Sequence, residues 1–164
     1  MSPKREYVAK IERQIRTVKE RTRYSTASLL NCGIKHLHKQ IVIHLVYNVT
    51  LWLNSFPINQ SLSLNFSPRE IVTQQSISLG DKCNAGFGSY VQATTDAIVT
   101  NNQKPRTHGC IALGPSGNRQ GSLKCFDLET GMVVIRRIVK VFPMPDRVVK
   151  KVNAWVIKTK RIFQ

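Results

Sequence analysis

The sequence predicts an α+β protein: helices in the first half, a small antiparallel β-barrel after them, and a closing helix. Three observations carry this. Apolar residues recur at helical spacing from Val8 to Phe56. From Gly88 onward, short alternating runs are separated by turns containing glycine. After Pro143-Met144-Pro145 the chain returns to helical spacing. The expected organisation is 1–79 helical, 80–145 barrel, and 146–164 a terminal helix with a basic tail.

The first helix is expected over 4–23. Val8, Ile11, Ile15 and Val18 share one face, and most other positions are basic. A polar break, STASLLNCG, follows, with Gly33 as the stop. The second helix is expected over 36–55. Its later turns are apolar nearly all round (Ile41, Val42, Ile43, Leu45, Val46, Tyr47, Val49, Leu51, Trp52, Leu53 and Phe56), a pattern that predicts burial on several sides. Pro57 ends it. A short third helix starts at Ser67-Pro68-Arg69-Glu70. Ser67 is the N-cap, Pro68 takes the first helical position, and Glu70 completes a capping box. Strands are expected at 88–94, 109–114, 122–128 and 132–142, with a long polar loop at 95–107. Arg136-Arg137 interrupts the alternation of the last strand, which predicts a bulge or bend there. The closing helix is expected over 146–158, with Val148, Val152, Trp155 and Val156 on one face.

Charge narrows the partner class. The 164 residues hold 25 Lys and Arg against 9 Asp and Glu, a formal net charge of +16. That imbalance favours polyanions. The most apolar run, IVIHLVYNVTLWL, is too short and too polar to span a bilayer, so no membrane association is expected. MSPKREYVAK has no apolar run, so an intracellular protein, cytoplasmic or nuclear and not secreted, is expected. Cys32, Cys83, Cys110 and Cys125 form no CxxC pair, and the four histidines do not join them at ligand spacing. Reduced thiols are expected. GPSGNRQG lacks the GK[ST] ending of a phosphate loop and lies between two strands, so it reads as a hairpin turn. No serine has a nucleophile-elbow setting. Glu6, Glu12 and Glu20 fall on one helix, which cannot wrap a metal ion by itself. Read locally, Glu12 is an i, i+4 partner of Arg16.

The order of several segments adds a further reading. IERQIRTVKER, the apolar helix ending LWLNSFP, SPREIVT, FGSYVQ, PRTHGCIALGPSGNRQGSLKCFDLETG and FPMP follow one another over residues 8 to 155. Together they resemble the Pol polyprotein of copia-type retrotransposons, at the end of the integrase core and the Src-homology-3-like barrel that follows it. The resemblance implies that the helices are the tail of an RNase H-like integrase core. It places Glu12, in the context Glu12-Arg13-Gln14-Ile15-Arg16, at the glutamate of that family's Asp-Asp-Glu triad. The two aspartates would lie on upstream strands that these residues do not include. In the intact enzyme, three carboxylates would hold two Mg²⁺ or Mn²⁺ ions about 4 Å apart and activate water or a DNA 3′-hydroxyl.

The expected function is therefore that of a retrotransposon integrase fragment. It binds DNA through phosphate contacts and lacks two of three catalytic carboxylates, so no cofactor is expected for these residues alone. Expected DNA-binding residues are Lys10, Arg13, Arg16, Lys19, Arg21 and Arg23 on the first helix, and Arg136, Arg137, Lys140, Lys150 and Lys151 further on. Other expected partners are the missing integrase core or a second copy. One alternative is an independent basic nucleic-acid-binding module, although Tyr90 and Phe126 are thin provision for base stacking in the barrel. Another is a structural or interaction fragment whose apolar helix needs a partner.

Overall fold

The structure, a computed structural model, describes residues 3–57, 63–76, 80, 84–95, 103, 105–118 and 120–162, with the side chains of 3–7 and 158–162 excepted. Cys83, most of the loop expected over 95–107 and the side chains of the basic tail lie outside these. The architecture is α+β. The helices are α1 (Pro3–Asn31), α2 (Lys39–Leu53), α3 (Pro68–Thr73) and α4 (Asp146–Ile162). The strands are β1 (Tyr90–Thr94), β2 (Thr107–Pro115), β3 (Leu123–Asp127), β4 (Val133–Arg136) and β5 (Val139–Val141). They form one antiparallel sheet in the order β4-β3-β2-β1-β5.

The strand order carries a geometric constraint. β4 and β5 lie at opposite edges of the sheet, yet only Arg137 and Ile138 separate them in sequence. Two extended residues span less than about 10 Å. The sheet must therefore curl until its edges approach, although no ladder closes it. This corrects the expectation of a single last strand: 132–142 is two strands, and the interruption at Arg136-Arg137 is the corner between them.

Curling makes the two faces of the sheet unequal. The concave side holds small residues: Ala93, Cys110, Ala112 and Cys125, with Val91 and Leu123. Tyr90, Ile111, Leu113, Phe126 and Leu128 point to the convex side. There they meet Ile34, Ile41, Val148 and Val152, so α4 and the start of α2 cover the sheet. This core draws on all three sequence segments. Trp155 completes it, donating from Nε1 to the Leu128 carbonyl at 3.0 Å. Its ring lies over the turn at Gly131, where a Cβ would stand 2.7 Å away. Gly131 also has φ +71°, which glycine adopts without penalty.

Asn153 of α4 ties down the α1–α2 connection. Its Oδ1 accepts from the Lys35 backbone at 2.9 Å and its Nδ2 donates to the Gly33 carbonyl at 3.3 Å. Gly33 is the stop expected, at φ +88°. The break expected at 25–33 is absent, however, and α1 runs through it to Asn31. Leu29 decides this. It is buried, and a Cβ on Gly88 would collide with its side chain. Tertiary packing there outweighs the weak helix preference of Ser and Thr. Within α1, Thr17 and Thr22 donate back to the carbonyls four residues earlier instead of breaking the helix.

α2 begins three residues later than expected. His38 is its N-cap and accepts from the Gln40 backbone through Nδ1. Burial lowers the His38 pKa, in keeping with an Nδ1 that must stay unprotonated to accept. Only Ile41, Leu45 and Val49 of α2 are buried. The expectation of burial on several sides is overturned: Val42, Ile43, Val46 and Tyr47 are exposed. The reason is one of covering. β2 and α1 pack against α2, and Ile41, Leu45 and Val49 are the stripe that is buried. α3 forms as expected, with Ser67 Oγ accepting from Glu70 N at 3.2 Å and Glu70 Oε2 accepting from Ser67 N at 2.8 Å. No described helix is long and apolar enough to cross a membrane.

Two outcomes follow from this packing. Gly117 shares positive φ with Gly131 but opens to empty space. Gly117→Ala is expected to cost about 1–2 kcal/mol in urea denaturation from backbone strain alone, and Gly131→Ala more, because it also displaces Trp155. The second outcome concerns thiols. Burial pushes both Cys110 and Cys125 up to about 12, assisted by Asp127 at the first and by Cys110 at the second. The native state keeps protons that the unfolded chain releases near 9.0, so this contribution is complete below that pH and is lost as pH rises toward 12. In a Cys83→Ser background, exposed Cys32 should react promptly with a thiol reagent and the buried pair only on unfolding. Cys125→Ala should reduce the loss of Tm above pH 9.0.

Candidate nucleic-acid interface

At about 3.6 residues per turn, the basic residues of α1 fall on two faces. Lys10, Arg13 and Arg21 project with Gln14, Thr17 and Ser25 toward α2 and α3. Arg16, Lys19 and Arg23 lie on the opposite side, and Glu12 lies among them; all four are exposed. The single basic surface expected on α1 is thus two surfaces back to back. Between and beside them, Val8, Ile11 and Ile15 form an exposed apolar stripe, 54%, 57% and 48% accessible.

The first of these surfaces is one wall of a groove of about 1300 Å³. The opposite wall is the end of α2, with Asn48, Val49, Trp52 and Leu53, continued by Asn54, Phe56 and Pro57. α3 closes one end with Pro68, Ile71 and Val72. A backbone hydrogen bond of 3.0 Å from Arg69 to the Asn54 carbonyl fixes α3 there. Trp52 and Phe56 stack with ring centroids 6.2 Å apart and planes 19° from parallel. No described lining residue is acidic. A smaller cavity of about 560 Å³ lies behind the same ridge, between α2 and the β2–β3 hairpin. There burial, and then the charge of Lys124, lowers the pKa of His44.

The remaining predicted residues sit elsewhere. Arg136, Arg137 and Lys140 mark the β4–β5 corner, where Lys140 Nζ lies 5.7 Å from the centre of the Phe142 ring. Lys150 and Lys151 are exposed on α4, away from its valine face. Tyr90 and Phe126 belong to the core beneath the helices and offer no platform for bases. The aromatic residues that do line a cationic groove, Trp52 and Phe56, were hidden in a run read as core. Their i, i+4 spacing was the available signal.

Glu12 stands among cations. Among the described residues, no three His, Cys, Asp or Glu side chains come together. The donor set does not by itself fit a metal pair, which needs several oxygen ligands from converging elements. The described residues of GPSGNRQG make a hairpin turn. Asn118 Oδ1 accepts from the Ser122 backbone at 3.0 Å, and Ser116 N donates to the Ser122 carbonyl at 2.9 Å. Comparison with known protein families, with curated proteins and with solved structures found no match.

Proposed function

We propose that the chain is the end of a copia-type integrase core together with its following Src-homology-3-like barrel, and that it binds DNA through phosphate contacts. The observation that carries this reading is the outer face of α1. Glu12 is exposed at the head of a row of exposed cations, with Arg16 about one turn, Lys19 about two turns and Arg23 about three turns further on. Cations spaced along one helix face meet a polyphosphate without needing to read its sequence. Support for the barrel comes from five short antiparallel strands, a two-residue jump between the edge strands and an interior of Ala and Cys. In this reading Glu12 supplies one of three metal ligands. The residues of this chain supply the phosphate-binding surface beside it.

The test is fluorescence anisotropy with a labelled blunt duplex. Affinity should fall steeply with salt, the slope in log–log form being about −0.9 per phosphate neutralised. Charge reversal at Arg16 and Lys19 should weaken binding at least about tenfold and flatten that slope. Glu12→Gln should bind as well or better, and the 164-residue protein should not join DNA ends in Mg²⁺ or Mn²⁺. Salt-independent binding, or end joining that Glu12→Gln abolishes, would overturn the proposal.

A second reading, an interaction fragment, is favoured by one observation: Val8, Ile11 and Ile15 on α1 and Tyr47 on α2 are uncovered apolar surface. Light scattering separates the two. A DNA-binding monomer keeps one mass across concentrations. An interaction fragment gains mass with concentration, and Ile11→Asp with Ile15→Asp returns it to the monomer.

A further inference from the structure

The groove between α1, α2 and α3 lies on the face of α1 turned away from Glu12, so the proposal above leaves it unused. The geometry points to it as a second nucleic-acid site, one that takes a single-stranded segment with bases on Trp52 and Phe56 and phosphates on Lys10, Arg13 and Arg21. This rests on the nucleic-acid reading but not on the Glu12 face.

Three features of the groove carry the inference. The rings of Trp52 and Phe56 are nearly parallel and form a flat apolar platform on one wall. The facing wall carries three exposed cations, with no acid among the described lining residues to compete for them. A strand running along the groove would thus find a stacking side and a phosphate side. The amides of Gln14 on one wall and Asn54 on the other offer donors and acceptors to base edges.

The same features select among occupants. Duplex DNA keeps its bases stacked in its interior. Its phosphates reach a rim of cations, but its bases do not reach the half-buried Trp52. Unpaired bases do, and stacking on an aromatic ring is sequence-tolerant. An acidic amphipathic helix would satisfy the cations and cover the apolar wall. It would also lay its apolar face over the amides of Gln14 and Asn54, and buried amides without partners are costly. A polynucleotide leaves none of them unanswered.

The test uses the full chain and two labelled probes, a short oligo(dT) and a duplex of the same length, at low salt. Trp52→Ala and Phe56→Ala should each weaken oligo(dT) binding about tenfold, while duplex affinity stays within twofold. Phe56 is 50% exposed, so its variant keeps the test valid if Trp52→Ala fails to fold. Equal losses for both probes, or no loss for oligo(dT), overturn the inference. So does wild-type protein that binds duplex alone, which leaves the proposed function standing. Wild-type protein that binds neither probe removes both. If oligo(dT) is unaffected while a Glu-rich amphipathic peptide binds wild type and not Phe56→Ala, the groove is a peptide site and the inference fails.

Discussion

The fold depends on the two-residue connection between β4 and β5. Strands adjacent in sequence but at opposite edges of a five-stranded sheet leave that sheet no flat solution. Once curled, it has a tight inside and an open outside. The inside takes Ala, Cys and Val, with Leu123 as its one larger buried side chain, because further bulk would overfill it. The outside carries Tyr, Ile, Leu and Phe, which need a cover. α2 and α4 provide it, and Asn153 locks the two helices together through the backbone at Gly33 and Lys35.

That arrangement also explains the candidate sites. α2 pays out only one stripe, Ile41, Leu45 and Val49, to the packed interior. Its other residues are left for whatever lies beside it. The last turns of α2, the capped α3 and the long α1 then enclose a space that no described side chain fills. α1 presents opposite faces to different surroundings. One lines the groove with Lys10, Arg13 and Arg21, and the other exposes Glu12 with Arg16, Lys19 and Arg23. The described cations of α1 are thus distributed over separate surfaces rather than one patch. Separate cationic surfaces on a single helix suit contact with more than one stretch of polyanion.

Local chemistry was legible where it involved neighbours in sequence. The Ser67–Glu70 capping box, the stop at Gly33, the hairpin at 115–121 and the valine face of α4 all follow from residues within a few positions of one another. The bend at Arg136-Arg137 was legible as a break in alternation, but its extent was not. Whether a strand bends or splits depends on which partners its halves find, and those are β3 and β1. The continuation of α1 through STASLLN was not legible at all. It depends on Leu29 meeting Gly88, a residue far along the chain.

By itself the sequence determined the class of the fold, the capping box of α3, the turns and the sign of the charge, because each depends on residue type and short-range spacing. Only the tertiary structure decided which faces of α1 and α2 are covered. Apolar residues occur nearly all round α2, and the packed interior took one stripe of them, Ile41, Leu45 and Val49. It also decided that Trp52 and Phe56 face cations across a groove, since that requires α1 and α2 to be placed side by side. Periodicity specifies a stripe along a helix, but what lies opposite the stripe is set by the packing of the whole chain.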